Sequence, residues 1–271
     1  MTAEATNSKD DDAVPAVLAE AEEWQTIMAL DAETALDVYL DIKSPHAYLA
    51  VRPTLEIARD YRVRLNFLPY TLSYVAIGVT TNVEPDMKRR PASPEADRKA
   101  RMYYATARQY AALQGLPLRS PHRLLDSAAA NKAVLFAKQQ NLEVPFLMRV
   151  YLRGWSSGWR NYDVESLEQL RGTLDEVGCR TDGFETFMAP NAAGELELEG
   201  CKAKAEAAGI TGVPHYVFKD VASGRELGLF GREHLALIRE KFAAQGLART
   251  PTVRPAFSHA WRGPAANRPT F

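Results

Sequence analysis

The residues best placed to do chemistry in this 271-residue chain are Ser44 and His46, in the run Leu36 to Ala50, L-D-V-Y-L-D-I-K-S-P-H-A-Y-L-A. A serine at the mouth of a strand–helix turn sits where unpaired N–H groups and the positive end of the helix dipole gather. Both favour an anion. His46 is a candidate general base, and so is His215, which directly follows Pro214. The two histidines are expected to border one substrate cleft. No two of the five histidines have metal-ligand spacing within one element, so no metal is expected. Cys179 and Cys201 form no close pair. They read as two unpaired thiols in a reducing cytoplasm, not as a redox or zinc motif.

The elements that must position these groups follow from periodicity. Leu36, Val38, Leu40 and Ile42 alternate with Asp37, Tyr39, Asp41 and Lys43, which is the period of a strand. Ser44-Pro45 then opens a helix. Serine is a favoured N-cap, and proline suits the first helical turn because it has no N–H to lose. Pro53 inside that helix removes one hydrogen bond and predicts a kink. Val63–Leu68 is a second alternating strand, giving a parallel βαβ unit. Residues Thr71 to Pro94 have no clean period and read as a long loop. Helices are expected over Glu95–Leu113, from Asp126 or Ser127 to Gln140, and over Pro145–Trp155, Val164–Val177, Thr181–Met188 and Leu198–Ala208, with no strand among them. Over 100 helical residues between α/β segments read as an inserted domain. The α/β pattern resumes with a hairpin, His215–Lys219 and Arg225–Phe230, and a closing helix, His234–Phe242.

The expected organisation is an N-terminal segment 1–34 holding a polar, disordered start and an extra apolar helix (Val14–Leu30). An α/β part 35–94, a helical insertion 95–209, a second α/β part 210–246 and a proline- and arginine-rich tail 247–271 follow. The tail's Phe257, Trp261 and Phe271 are candidates for docking on the body or on a partner subunit. A formal net charge of -1 gives no field that invites nucleic acid. No apolar run approaches the roughly 20 residues that span a bilayer, and the acidic start does not read as a secretory signal. A cytoplasmic protein is expected.

Ser44-Pro45-His46-Ala47 occupies the place where disulfide oxidoreductases of the DsbA type have Cys-Pro-His-Cys. The longer run D-I-K-S-P-H-A-Y-L-A resembles the opening of the 2-hydroxychromene-2-carboxylate isomerase and kappa-class glutathione transferase family, which has serine there. G-I-T-G-V-P-H-Y-V-F (Gly209 to Phe218) and L-F-G-R-E-H (Leu229 to His234) resemble later segments of that family in the right order. The match covers about three quarters of the chain. It implies a thioredoxin-like α/β fold with an all-helical insertion. It also implies glutathione as cofactor, a small conjugated or aromatic-derived substrate, and a homodimer.

Carried residue by residue, the resemblance makes Val213-Pro214 a cis pair whose exposed backbone meets the cysteinyl part of glutathione. Glu233 keeps the acid that faces the γ-glutamyl ammonium, while Arg232 stands where relatives have serine. Asn82 matches an asparagine of the substrate-facing loop. Asn131 and Trp155 match the helical region and read as structural. Ala105 stands where relatives usually carry aspartate. The basic run Lys88-Arg89-Arg90 is surface, or a seat for carboxylates. Ser120-Pro121-His122-Arg123 echoes the motif without a preceding strand and is set aside. The expected activity is a glutathione-dependent isomerase or transferase in which Ser44 favours the glutathione thiolate. The competing reading is a non-catalytic thioredoxin-fold binding protein. Dithiol exchange needs an attacking thiolate, which Ser44 and Ala47 do not supply.

Overall fold

The computed structural model describes residues 23–73, 82–83, 89–90 and 94–256. Its centre is a mixed sheet in the order β2-β1-β5-β6, where β1 is Thr34–Leu40, β2 Val63–Pro69, β5 His215–Asp220 and β6 Arg225–Phe230. β1 runs parallel to β2 and antiparallel to β5, and β5 antiparallel to β6. The four expected strands thus share one sheet. A second, two-stranded ladder, β3 (Asn82–Val83) with β4 (Arg89–Arg90), lies inside the stretch read as a loop.

β1 ends two residues earlier than its alternation predicts. Asp41 leaves the ladder because its carboxylate accepts from the Leu72 N–H at 2.7 Å and the Asn131 amide at 3.1 Å. The helix that follows, α1 (Pro45–Asp60), connects β1 to β2. Pro53 lies inside it, so the Leu49 carbonyl has no N–H four residues on.

Six helices form the insertion: α2 (Pro94–Gln114), α3 (Ala128–Lys138), α4 (Glu143–Ser157), α5 (Leu167–Glu176), α6 (Phe184–Met188) and α7 (Ala193–Ala207). Among the described residues from 95 to 208 no strand intervenes. α5 starts at Leu167, not Val164, because Ser166 caps it, accepting from the Gln169 N–H at 3.3 Å. α7 starts five residues before the expected Leu198. Ser120-Pro121 opens no helix. After β6, Arg232–His234 make a 3-10 turn and α8 (Leu235–Ala244) closes the fold.

Helices cover both faces of the sheet, so β1 is buried on both sides toward its C-terminal end. α1 and α8 lie on one face. The Tyr216 hydroxyl pairs with Thr54 of α1 at 3.2 Å, and Phe218 meets Phe242 of α8 at 5.1 Å. α3 and α7 take the other face, where Lys138 donates to the Phe67 carbonyl at 2.7 Å and Lys204 pairs with Asp37.

Of the extra N-terminal helix, the described part is helical over 23–28 with Trp24 fully buried; Val17, Leu18 and Ala21 lie outside the described residues. Phe257, Trp261 and Phe271 of the tail also lie outside. The tail up to residue 256 docks on the body. Arg249 donates to the Ala58 carbonyl at 2.9 Å, and buried Arg239 bonds both Asp60 and the Arg254 carbonyl.

Candidate functional site

The register of the sheet brings distant segments to one end of it. Tyr39 of β1 pairs with His215 of β5, and His215 with Phe230 of β6. The C-terminal ends of β1 and β6 and the N-terminal end of β5 therefore lie side by side. Ser44, Val213-Pro214 and Gly231-Arg232-Glu233 are the residues that lead into or out of those ends. The Val213-Pro214 bond is cis, and the Pro214 carbonyl accepts from the Gly231 N–H at 2.9 Å. That bond ties the loop before β5 to the turn after β6.

Ser44 caps α1. It is extended at φ -90° and ψ 116°, is buried, and its hydroxyl oxygen accepts from the Ala47 N–H at 3.2 Å. Tyr103 belongs to α2. The Tyr103 ring meets His46 edge-on, with ring centres 4.4 Å apart. Burial around the phenol pushes its pKa up to about 12, against the lowering effect of Ser44. His46 is pushed down to about 4, first by burial and then by the positive charge of Arg232; Glu233 acts in the opposite sense. At neutral pH the imidazole is uncharged.

Arg232 is the other buried group. Its guanidinium lies 3.9 Å above the Tyr110 ring, a cation–π contact. The side chain is 4% exposed, and its Nη1 has no hydrogen-bond partner among the described residues. Burial lowers its pKa, while Tyr110, Tyr216 and Glu233 raise it. Glu233 itself is exposed.

His215 lies on the face of the sheet opposite α1. Side chains alternate along a strand, and Tyr216 points to the α1 face, so His215 points to the other. There Phe230 lies 6.3 Å from its ring, and a Cβ on Gly228 would come within 3.0 Å of its Nε2. Its pKa is lowered by burial and by His234. Asn82 contributes backbone to β3, paired with Arg90; its side chain, like Lys88, lies outside the described residues. Ala105 is exposed on α2. Asn131 is fully buried and donates to Asp41 and Thr71, and Trp155 is buried against Tyr48 and Trp159, so both are built into the frame.

Sequence reasoning passed over Tyr103, Tyr110 and Asp41. For the two tyrosines a signal was present: they lie seven residues apart, hence on one face of a helix.

A family model for the DSBA-like thioredoxin domain matches residues 35–243. The chain belongs to that family. A 2-hydroxychromene-2-carboxylate isomerase of Pseudomonas putida is 28% identical to this chain over 181 residues, 66% of this chain and 82% of that protein. A solved 2-hydroxychromene-2-carboxylate isomerase superposes with a TM-score of 0.61 at 20% identity, over 78% of this chain and 96% of the other. The cytosolic disulfide reductase DsbM of Pseudomonas aeruginosa, solved with glutathione, gives 0.53 at 16% identity, over 78% and 97%. The fold is thus the DsbA-like thioredoxin fold with a helical insertion. The run Ser44-Pro45-His46-Ala47 of this DSBA-like chain holds no cysteine. Burial pushes its Cys179 up to about 11 and raises Cys201. Among the described residues no helix is long and apolar enough to cross a membrane.

Proposed function

We propose that this protein is a glutathione-dependent isomerase, or a transferase using the same intermediate steps, for a small conjugated or aromatic-derived substrate. The observation that carries the reading is Ser44 itself. A hydroxyl caps α1 in the position of a redox cysteine, at the sheet end where Val213-Pro214 and Arg232-Glu233 converge. The kinship with a 2-hydroxychromene-2-carboxylate isomerase supports the isomerase assignment.

The residues present fit glutathione. Arg232 carries a buried, unpartnered donor suited to a carboxylate, Glu233 an exposed carboxylate suited to an ammonium, and the Val213-Pro214 turn a backbone edge for the cysteinyl unit. Glutathione, when bound, would supply a nucleophilic thiolate toward a conjugated carbon, the chemistry that isomerases and transferases of this kind share. Ser44 donates to the sulfur, and the N-terminus of α1 adds the favourable end of its dipole. His46, neutral at working pH, is free to take or return a proton at the substrate. Arg232 supplies a fixed positive charge beside it.

The same reading has the chain as a homodimer, for which sedimentation at micromolar concentration giving twice the 30.1 kDa chain mass is the check. The test of function is a thermal-shift and calorimetric titration with glutathione and S-alkyl glutathiones. Binding that raises the melting temperature supports it. No shift at millimolar ligand rejects it in favour of a thioredoxin-fold binding protein, a role compatible with Arg232 and Ala105 replacing the family's residues.

A further inference from the structure

Arg232 and Glu233 are neighbours in sequence and opposite in charge, yet among the described residues they form no ion pair. Two contacts draw them apart. Glu233 folds back over Gly231: a Cβ built on that glycine would stand 2.5 Å from the carboxylate oxygens. Gly231 has a φ of 111°, which side chains rarely adopt, and its N–H donates to the Pro214 carbonyl at 2.9 Å. The carboxylate is therefore fixed beside the cis turn, exposed to solvent. Arg232 turns the other way, onto the helical insertion. Its guanidinium carbon lies 3.9 Å from the centre of the Tyr110 ring, and its buried Nη1 has no hydrogen-bond partner among the described residues. Tyr110 is carried on α2 next to buried Ala107 and Ala111.

The chemistry of the two partners explains why this matters. A guanidinium is planar and weakly hydrated, so it lies flat on a ring and stays there without committing an N–H. A pair with Glu233 would instead tie both charges to each other. Such a pair, with one side chain exposed, gains little, whereas a desolvated cation–π contact is the stronger of the two. The ring thus leaves an anion and a cation uncommitted on adjacent residues. The ligand that brings the complementary pair is an α-amino-acid end, with its ammonium toward Glu233 and its carboxylate toward Arg232.

We propose that Tyr110 is a positioning residue: its ring holds Arg232 off Glu233 and so keeps the two halves of a zwitterion seat from neutralising each other. This deepens the glutathione reading and rests on it, since the γ-glutamyl end is that zwitterion. The helical insertion then shares in ligand recognition through α2, at a position where the arginine itself departs from the family's serine.

The test has two arms, and the first needs no ligand. The Nε–Hε resonance of Arg232, identified by its loss in Arg232→Lys, is expected to carry the ring-current shift of an arginine lying on an aromatic face. It should keep that shift in Tyr110→Phe, which retains the ring, and lose it in Tyr110→Leu. A wild-type resonance without the shift overturns the proposal whether or not the leucine variant folds, and so does a shift that survives in Tyr110→Leu. The second arm is calorimetry with glutathione across a double-mutant cycle of Tyr110→Leu and Arg232→Gln. Tyr110→Leu should weaken binding by about tenfold when Arg232 is present, Tyr110→Phe should bind close to wild type, and the leucine should cost little once Arg232 is gone. Equal losses in both backgrounds overturn it, because they mark Tyr110 as packing alone. No binding of glutathione by the wild-type protein removes the glutathione reading, while the first arm still decides whether Tyr110 holds Arg232.

Discussion

The side-chain amide of Gln114 donates to the Leu49 carbonyl at 2.9 Å. Leu49 is the residue whose intrahelical partner would have been the N–H of Pro53, and proline has none. The last residue of α2 thus completes α1 and fixes the insertion to the helix that Ser44 caps. Gln114→Leu should leave a buried carbonyl unsatisfied and destabilise the fold by about 1–3 kcal/mol. Pro53→Ala restores an N–H. In a double-mutant cycle the cost of Gln114→Leu should shrink in the Pro53→Ala background. Strict additivity in denaturant melts would show that the two sites are not coupled.

Ser44→Ala removes the cap on Ala47 and should cost about 1 kcal/mol of stability. Under the glutathione reading it also removes the donor to the sulfur. Free thiols titrate near 8.5, and a helix N-terminus with a donor lowers that value. Glutathione-dependent turnover should fall about tenfold or more, and the thiolate absorbance of bound glutathione should titrate at higher pH. An unchanged thiolate titration with lowered stability would leave Ser44 a helix cap.

His46 gives a pH signature. Its ordinary value of 6.5 falls to about 4 in the fold, through burial and then Arg232. The unfolded chain therefore binds a proton that the native state refuses between those values. His46's contribution to stability is complete above about 6.5 and is lost as pH falls toward 4. His46→Gln should flatten the acid side of the stability profile. A nuclear magnetic resonance titration of the ring is the direct check, and a midpoint at or above 6.5 would contradict the burial argument.

Arg232 predicts an anion dependence. The guanidinium is held over Tyr110 with one nitrogen unpartnered among the described residues. A charge-assisted hydrogen bond there is worth about 1.5–3 kcal/mol. Arg232→Gln should therefore weaken glutathione binding by roughly tenfold to a hundredfold. Calorimetry measures this, and a γ-glutamyl peptide lacking the α-carboxylate should be insensitive to the substitution. Equal losses for both ligands would place the contact elsewhere.

Much of the scaffold was readable from the residues alone. The alternation of Leu36, Val38 and Leu40, the Ser44-Pro45 cap and the His215–Phe230 hairpin gave the strands, because successive side chains meet opposite faces of the sheet and even the edge strand β6 alternates between exposed and half-buried residues. The boundaries that slipped are those set by side chains from elsewhere: Asn131 and Leu72 holding Asp41 out of β1, and Ser166 capping α5 after Val164 has already entered the core. A two-residue period tells that neighbours oppose each other but not which one faces the motif helix; Tyr216, through Thr54, decides it and sets His215 on the opposite face. Tyr103 escaped notice because α2 exposes Met102, Tyr103 and Leu113, which blurs the stripe that its spacing from Tyr110 draws on the face meeting His46.

The pairing of Tyr39 with His215 has a consequence for how the chain is made. β1, α1 and β2 emerge from the ribosome together, but β5 follows only after all six helices of the insertion. Through that interval L-D-V-Y-L has one edge bare, and an unpaired strand edge is a template for neighbouring chains. No nascent fragment ending before β5 contains the Val213-Pro214 pair that the register sets beside the end of β1. Competence and protection against misassembly thus arrive in the same event, late in synthesis, when the hairpin slots in beside β1.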